Sequence, residues 1–357
     1  MSDLRNDPLI GISGYGVYMP VYRIKIEDIA KAWGDDPDTI KNGLLVYEIT
    51  VKGRDEDQIT VAVEAARNAL KRAPEVDPKG IGAVYIGSES KPYAVKPSST
   101  VVAAALGLEL GVRGADYEFA CKGGSEGIIS IIAQVKAGMI KYGLAIGADC
   151  SQSWPGDVLE YTASSGGAAF IIGVKNNDSV AYFEGTYSVM SDTADFWRRD
   201  GVEFPRHTGR FTGKPAYFDH IIKAAEGLMN ELNLKPSDFN YIVPHQPNGK
   251  FPIRVAKMLG FKIEQVEPGL VTPWTGNFYS GSALTGLCKA LDNAEPGERI
   301  LVVTFGSGAG ADAFSIVVQD AIKRKRDLAP KVEDLINKRK VYVDYGVYAR
   351  LWNKIKV

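Results

Sequence analysis

The sequence predicts an α/β fold built from two similar halves, and two observations carry this prediction. Short β-rich runs alternate with longer helical patterns along the chain, which is typical of helices packed on a sheet. A strand, a helix and a polar turn in the first half are also echoed in the second. In both halves the polar residue of the turn follows the polar residue at the strand end by 32 positions, from Glu89 to Cys121 and from His245 to Asn277.

The strands are predicted from short apolar runs. In chain order these are AVYIG (83–87), LAIG (144–147), AAFIIGV (168–174), YIVP (241–244), ILVVTFG (300–306) and FSIVV (314–318). Several runs are apolar at consecutive positions, which indicates a sheet covered on both faces. Two stretches between the strands repeat apolar residues at helical spacing, 57–73 and 125–143, and Ser125 is the candidate N-cap of the second.

The repeat brings four polar residues into register. The strand AVYIGSES carries Glu89 and the strand NYIVPHQ carries His245, and each is followed by a helical segment that ends in Leu-Gly. The turns EFACKGGSEG and TGNFYSGS carry Cys121 and Asn277. If the halves pack about a pseudo-twofold axis, Glu89 and His245 occupy equivalent places, and so do Cys121 and Asn277. Taken alone, Cys121 could equally be a small buried hydrophobe.

A nucleophilic role for Cys121 would suit its surroundings. Its glycine neighbours let a substrate approach the sulfur, and a helix that begins just beyond it would lower the pKa of the thiol. Cys150 and Cys288 lack this setting and are expected to be structural.

The composition excludes several classes of protein. The chain of 357 residues has 42 Lys and Arg against 43 Asp and Glu, so no global basic field draws it to nucleic acid or to anionic lipid. Its apolar runs are too short for a membrane helix. Its three cysteines, an odd number, and the lack of an N-terminal signal pattern favour a reducing, cytoplasmic location. Because no His, Cys and carboxylate cluster has ligand spacing, no metal is expected.

The motifs around these residues resemble the thiolase superfamily. They are the Cys121 turn, HQPN at 245–248, GN at 276–277 and GSGAGADAF at 306–314. The resemblance implies the thiolase-like, duplicated five-layered α/β/α/β/α fold and Claisen chemistry on thioesters. Glu89 in GSES, with the segments at 53–70 and 87–98, resembles the archaeal type of hydroxymethylglutaryl-CoA synthase.

This resemblance implies a reaction and a set of catalytic residues. Acetyl-CoA, acetoacetyl-CoA and water would give 3-hydroxy-3-methylglutaryl-CoA and CoA, a step of the mevalonate pathway to isoprenoid precursors. Cys121 would carry the acetyl group, Glu89 would remove its methyl proton, and His245 would polarise the acetoacetyl carbonyl and supply a proton. No cofactor is implied, since the CoA thioesters are substrates.

Further residues are expected to bind the substrates. Asn277 would hydrogen-bond near His245, and the family correspondence places Thr162, Thr212 and Ser307 toward the acyl groups. An oxyanion hole would use the N–H of Cys121 and one from the turn at 306–308. Lys250 and Arg254 lie four positions apart on one helix face, where they could bind CoA phosphates or simply face solvent.

Two other functions are compatible with the motifs. A ketoacyl synthase III-like enzyme would share Cys121, His245 and Asn277 but would use a malonyl donor. A non-catalytic acyl-CoA-binding subunit would keep the fold without the chemistry. Glu89 favours the synthase over the first, because ketoacyl synthase III carries no catalytic Glu at this strand end.

The domain organisation follows from the repeat. We expect a first half at 1–174, a second half at 175–321, and a C-terminal extension at 322–357. The extension has eleven Lys or Arg against four acids, and its aromatic stretch YVDYGVYARLW favours docking on a protein surface over disorder. The expected surface is the protein's own dimer, or a partner such as the thiolase that makes acetoacetyl-CoA. The superfamily resemblance implies at least a homodimer.

Overall fold

The computed structural model describes residues 8–108, 110–151 and 153–354. The strands are β1 Ile10–Tyr18, β2 Tyr22–Lys25, β3 Glu48–Val51, β4 Ile81–Gly87, β5 Arg113–Tyr117, β6 Tyr142–Cys150, β7 Ser165–Val174, β8 Ala181–Met190, β9 Phe196–Trp197, β10 Arg206–His207, β11 Tyr241–Pro244, β12 Arg299–Gly306, β13 Gly310–Val318 and β14 Val341–Tyr342. The helices are α1 Ile26–Trp33, α2 Pro37–Leu44, α3 Gln58–Lys71, α4 Ser98–Ala105, α5 Gly123–Lys136, α6 Gly209–Phe211, α7 Phe218–Leu232, α8 Lys250–Met258, α9 Ile263–Val266, α10 Thr272–Thr275, α11 Ser282–Asn293, α12 Ile322–Lys325, α13 Val332–Asn337 and α14 Tyr345–Leu351. None of the helices in these ranges is long and apolar enough to span a membrane.

The main sheet has two matching halves. Within the described ranges its strand order is β11-β12-β13-β8-β1-β7-β6-β4-β5. Strands β1 and β8 pair antiparallel at the centre, and the strands outward from them follow the same pattern on both sides, two antiparallel pairings and then a parallel one. Strand β4, which precedes Glu89, therefore corresponds to β11, which precedes His245.

The helices complete a five-layered arrangement. Successive residues of a strand face opposite sides of the sheet, and in β12 Val302 packs in the central core while Val303 packs in an outer one. The central core contains α5 and α11, one outer core contains α7 and α8, and the other contains α3 and α4. From one side to the other, the first layer is helices α3 and α4 and the second is one half of the sheet. Helices α5 and α11 form the central layer, the other half of the sheet forms the fourth, and helices α7 and α8 form the fifth. This confirms the predicted thiolase-like α/β/α/β/α fold.

All six predicted strands and both predicted helices are present, but the second helix is wrong at both ends: it is predicted over 125–143 and runs from Gly123 to Lys136, and residues from Tyr142 onward form β6. The helix expected from Ser125 begins at Gly123, and its N-cap is Lys122. The Ser125 hydroxyl instead bonds to the Lys122 carbonyl, at 2.8 Å, and to the Asp312 carboxylate, at 2.5 Å. Helix α3 begins with a capping box in which Asp57 accepts from the Thr60 N–H, at 2.9 Å, and Thr60 Oγ1 accepts from the Asp57 N–H, at 2.7 Å.

The C-terminal segment packs on its own chain. Strand β14 pairs in parallel with β2, and Tyr348 and Ala349 of α14 are buried. Several of its basic residues pair with acids of the preceding chain, for example Lys340 with Glu48, at 3.0 Å. Lys356, one of the basic residues counted in the extension, lies outside the described residues. Docking of this segment on a second subunit or a partner stays a prediction.

Two buried arginines bind carbonyl groups of the C-terminal segment. Arg72 donates to the carbonyls of Arg326, Ala329 and Pro330, at 2.9–3.0 Å. Arg23 donates to the Leu335 carbonyl at 3.1 Å. Both guanidinium groups are almost fully buried. Since burying a charge without hydrogen-bond partners is costly, residues 326–335 supply a necessary part of the interior.

Gly87 sits where β4 touches the start of α5. A Cβ at Gly87 would lie 1.9 Å from the carbonyl carbon of Gly123 and from the nitrogen of Gly124. Both are backbone atoms, which cannot swing aside. The missing side chain therefore lets the helix that follows Cys121 approach the strand that precedes Glu89.

We expect Gly87→Ala to push α5 away from β4. Forced overpacking costs about 1–3 kcal/mol, so urea unfolding should show a lower free energy of unfolding. Gly43→Ala, in α2, is the control, because a Cβ there meets no atom within 4 Å. It should be neutral or stabilise by about 0.5–1 kcal/mol. Equal stability of Gly87→Ala and the native chain would contradict the close contact.

Candidate active site

Cys121 and Glu89 are in direct contact. Glu89 lies two residues beyond β4, and Cys121 lies two residues before α5. The thiol donates a hydrogen bond to the carboxylate, with 3.3 Å between Sγ and Oε1. Cys121 is buried and Glu89 is half-buried. The strand end and the helix start thus place a nucleophile beside a candidate base.

His245 lies in an aromatic surround at the end of β11. Its side chain is 1% exposed, with the rings of Phe305 and Tyr217 centred 6.3 and 6.4 Å away. The Tyr217 hydroxyl donates to the His245 carbonyl at 2.6 Å. Nδ1 has no hydrogen-bond partner among the described residues. Burial lowers the pKa of His245 to about 3, so the imidazole is neutral near pH 7 and has one N–H to donate.

Asn277 is held at both its backbone and its side chain. Its N–H donates to the Thr162 carbonyl at 2.7 Å, and its Oδ1 accepts from the Tyr279 N–H at 2.8 Å. Because Oδ1 is engaged in this way, the amide NH₂ group is the end available to donate to a ligand.

Two adjoining cavities connect these residues. The smaller, about 60 Å³, is lined by Cys121, His245 and Asn277 together with Thr212 and Ser307. The larger, about 650 Å³, is lined by Glu89 among others, and both cavities share Phe196, Tyr279 and Ser307. The four polar residues that the repeat aligns therefore line two adjoining cavities.

The remaining sequence candidates lie farther out. Thr162 is buried, its hydroxyl donates to the Leu159 carbonyl at 3.2 Å, and it is not among the described residues that line either cavity. Lys250 and Arg254 are exposed on α8, and the Arg254 guanidinium lies 4.8 Å from the centre of the Phe218 ring. The approach to α8 is close to the site, because Pro247 lines the smaller cavity.

The electrostatics of Cys121 differ from the expectation. Burial raises the pKa of the thiol well above its usual value, and the negative charge of Glu89 raises it further. The expectation that the start of α5 lowers this pKa is therefore wrong for the free protein. Burial also raises the pKa of Glu89, and the charge of Asp149 adds to this. The pair is a neutral thiol beside a carboxyl group that holds a proton more readily than usual.

Known proteins similar to the chain decide its family. It is 59% identical over 349 residues to the hydroxymethylglutaryl-CoA synthase of Methanocaldococcus jannaschii, which covers 98% of this chain and all of the relative. It is 58% identical over 345 residues to the enzyme of that name from Pyrococcus furiosus, with 97% and 96% covered. The chain belongs to the hydroxymethylglutaryl-CoA synthase family. Residues 229–319 also match the C-terminal model of 3-oxoacyl-[acyl-carrier-protein] synthase III.

Solved structures similar to the chain share its fold. A hydroxymethylglutaryl-CoA synthase complexed with CoA has a TM-score of 0.86 at 22% identity, with 96% of this chain and 90% of that chain covered. The synthase III from Pseudomonas aeruginosa has a TM-score of 0.80 at 18% identity, with 87% and 99% covered. The fold is thus shared by both enzyme types, and the full-length identity to the archaeal synthases places the chain in the hydroxymethylglutaryl-CoA synthase family.

Asp149 is a site residue that sequence reasoning missed. Its Oδ1 accepts from the backbone N–H groups of Glu89 and Ser90 and from the hydroxyls of Ser88 and Ser90, at 2.5–3.1 Å. Its Oδ2 accepts from the Ser280 N–H at 2.9 Å. Burial raises its pKa to about 6. Asp149 fixes the Glu89 loop against the segment after Asn277, and its place at the end of the run IGAD was the available signal.

Asp195 is the second missed residue. It is fully buried, and its Oδ1 accepts from the Gly308 N–H at 2.9 Å and from the Thr193 hydroxyl at 2.7 Å. The Gly308 N–H of the predicted oxyanion turn is therefore already engaged, and Ser307, which lines the smaller cavity, remains a candidate donor from that turn. The sequence around Asp195 contains no motif that could have indicated this contact.

We expect Glu89→Gln to lower the pKa of Cys121. The variant removes both the negative charge and the hydrogen-bond acceptor that favour the neutral thiol, so the thiolate should form at lower pH. The rate of alkylation of Cys121 by iodoacetamide, followed by peptide mass against pH, should have its midpoint at lower pH than in the native chain.

Glu118→Gln is the matched control for this titration. Glu118 lines the larger cavity and carries the same charge, but the Cys121 thiol bonds to Glu89. In Glu118→Gln the midpoint of Cys121 alkylation against pH should stay close to that of the native chain. An unchanged midpoint in Glu89→Gln would show that the carboxylate does not govern the thiol.

Proposed function

We propose that the protein condenses acetyl-CoA with acetoacetyl-CoA and water to give 3-hydroxy-3-methylglutaryl-CoA and CoA, through an acetyl group on Cys121. The contact between the Cys121 thiol and Glu89, beside a neutral His245, carries this proposal. A nucleophile and a base in hydrogen-bond contact can act in successive steps at the same carbon atom. The reaction belongs to the mevalonate pathway of isoprenoid precursor synthesis.

In the first step Cys121 takes the acetyl group. The sulfur attacks the thioester carbonyl, the bond from that carbon to the CoA sulfur breaks, and CoA leaves as a thiol with the proton that Cys121 gives up. The N–H groups of Cys121 and Ser307 would stabilise the oxyanion, and loss of one such donor typically costs about a hundred- to thousandfold in rate.

In the second step Glu89 removes a proton from the acetyl methyl group. The raised pKa of its carboxylate suits it to a weak carbon acid. The carbon then attacks the ketone carbonyl of acetoacetyl-CoA, whose oxygen accepts hydrogen bonds from His245 and Asn277. Because burial keeps His245 neutral, it donates a hydrogen bond to this oxygen and does not supply the proton expected of it from the resemblance. The proton that Glu89 takes from the methyl group passes to the oxygen and forms the alcohol. Water then cleaves the bond to Cys121 and restores the thiol.

The substrate contacts extend this scheme outward. Thr212 and Ser307 line the cavity beside Cys121, where the acyl groups would lie. Thr162 contributes through its carbonyl, which holds Asn277. Lys250 and Arg254 are exposed on α8 and would bind the CoA phosphates, near the cavity residue Pro247. CoA thioesters are the substrates, and no further cofactor enters the scheme.

The location and assembly are part of the proposal. Cys121, Cys150 and Cys288 are unpaired, which suits a reducing, cytoplasmic compartment. Strand β5 pairs only with β4 among the described strands and forms one edge of the main sheet. An open edge can continue across a twofold axis into a second copy, so we propose a homodimer or a larger assembly. A thiolase that supplies acetoacetyl-CoA is a proposed partner.

Glu89→Gln should separate the two halves of the reaction. Acyl transfer to Cys121 removes no methyl proton, so intact mass should still show an acetyl adduct after mixing with acetyl-CoA. Condensation, followed as CoA release with both substrates, should fall by roughly a hundred- to ten-thousandfold, as expected for loss of a general base.

Cys121→Ala and malonyl-CoA provide the controls. The alanine variant should lose adduct and turnover together, since no sulfur carries the acetyl group. Near-normal condensation in Glu89→Gln would remove Glu89 from the mechanism. Turnover only with the malonyl thioester would favour a ketoacyl synthase, and a native protein without any adduct would favour a binding subunit.

Light scattering tests the assembly. At micromolar concentration we expect a particle of at least twice the mass of the chain. Co-purification with a thiolase from a lysate of the source cells tests the proposed thiolase partner. A fully active monomer would contradict the proposed continuation of the sheet.

A further inference from the structure

Glu160 is a buried carboxylate with a complete set of donors. It is 0% exposed and lies in the short 3₁₀ helix Val158–Tyr161. Its Oε2 accepts from Trp33 Nε1 at 2.9 Å and from the Gly156 N–H at 2.8 Å. Its Oε1 accepts from the Tyr345 hydroxyl at 3.1 Å and from Lys354 Nζ at 2.7 Å. Both donors to Oε1 come from the C-terminal segment.

Lys354 is the cation that balances this charge. Its side chain is 3% exposed, and Nζ also lies 3.2 Å from the Ser153 hydroxyl and 3.2 Å from the Tyr348 hydroxyl. Removing one partner of a buried ion pair leaves the other charge uncompensated, which is strongly destabilising locally. The C-terminal segment is thus attached to Glu160 through Lys354 by a buried ion pair that is costly to break.

The segment that Glu160 belongs to forms a wall of the active site. Leu159 lines the smaller cavity beside Cys121. The Leu159 carbonyl accepts from the N–H groups of Thr162, at 3.0 Å, and Ala163, at 2.8 Å. Thr162 in turn accepts from the Asn277 N–H. A shift of the backbone at Glu160 would therefore move both the cavity wall and the backbone of Asn277, which is bonded to Thr162.

We infer that Lys354 and Glu160 are positioning residues, through which the C-terminal segment holds the wall at 158–163 in place for the second acyl group. The inference rests on the proposed function, since the wall matters only if an acyl group binds against it. Neither side chain lines the cavity, so they act through Leu159 and Asn277 and not by contact with substrate.

Lys354→Met is the decisive variant, because it keeps the length of the side chain and removes the charge. We expect the KM for acetoacetyl-CoA to rise by roughly tenfold, the size of effect that a small displacement of positioning groups produces. A role in folding alone would lower the active fraction and hence kcat, and would leave KM unchanged. Lys354→Arg, which keeps the charge, should recover part of the affinity.

Lys340→Met is the matched control. Lys340 belongs to the same C-terminal segment and pairs with the buried Glu48 at 3.0 Å, but Glu48 lies on β3 and not on the wall. Lys340→Met should lower the thermal midpoint of unfolding, as Lys354→Met does, but should keep the native KM for acetoacetyl-CoA. If Lys354→Met does not fold, Tyr345→Phe removes one donor to Glu160 and keeps the ion pair, and it should raise KM in the same direction by less.

The double variant Glu160→Gln with Lys354→Met tests the pairing itself. With the unpaired charge removed, KM should return toward the native value. An unchanged KM in Lys354→Met and Tyr345→Phe, in an enzyme whose native form is active, would overturn the inference. Absence of turnover in the native chain would instead overturn the proposed function.

Discussion

The site depends on a backbone contact between β4 and α5. Where Gly87 meets Gly123 and Gly124 the two elements approach so closely that no side chain fits between them. This closeness brings the end of the strand, with Glu89, to the start of the helix, with Cys121, and lets the thiol and the carboxyl share a hydrogen bond. Main-chain packing therefore brings Glu89 and Cys121 together, and the polar side chains around them stabilise this arrangement.

Burial then determines the chemistry of the pair. A helix start stabilises a thiolate, but here removal of water from the thiol and the neighbouring carboxylate outweigh it, so the free site keeps the proton on sulfur. The same low-dielectric surround keeps His245 neutral. In the free site the thiol and the imidazole are therefore both neutral, which suits a reaction in which the charged species are transient.

The sequence predicts those parts of the structure that depend on neighbours along the chain or on the repeat. Strands such as β12 are apolar runs that are visible without a structure, and the repeat brings Glu89, Cys121, His245 and Asn277 together. Asp149 could not be found in this way, because its donors come from the loop after β4 and from Ser280, far apart in the chain. The direction of the pKa shift at Cys121 could not be predicted from the sequence either, because burial is a property of the assembled fold.

The buried arginines have a consequence for the order in which the chain folds. Arg72 and Arg23 lie early in the sequence, and four of the carbonyls that accept from them lie at residues 326–335. During synthesis the first half emerges with two guanidinium groups that already have some native acceptors, such as the Pro20 and Tyr15 carbonyls, but lack those at residues 326–335. Water must solvate the N–H groups that still lack acceptors, so burying these arginines costs more in the growing chain than in the finished one, and we expect the interior around them to close late in folding. A chain released before residues 326–335 are made would be nearly complete in sequence but less stable in its interior.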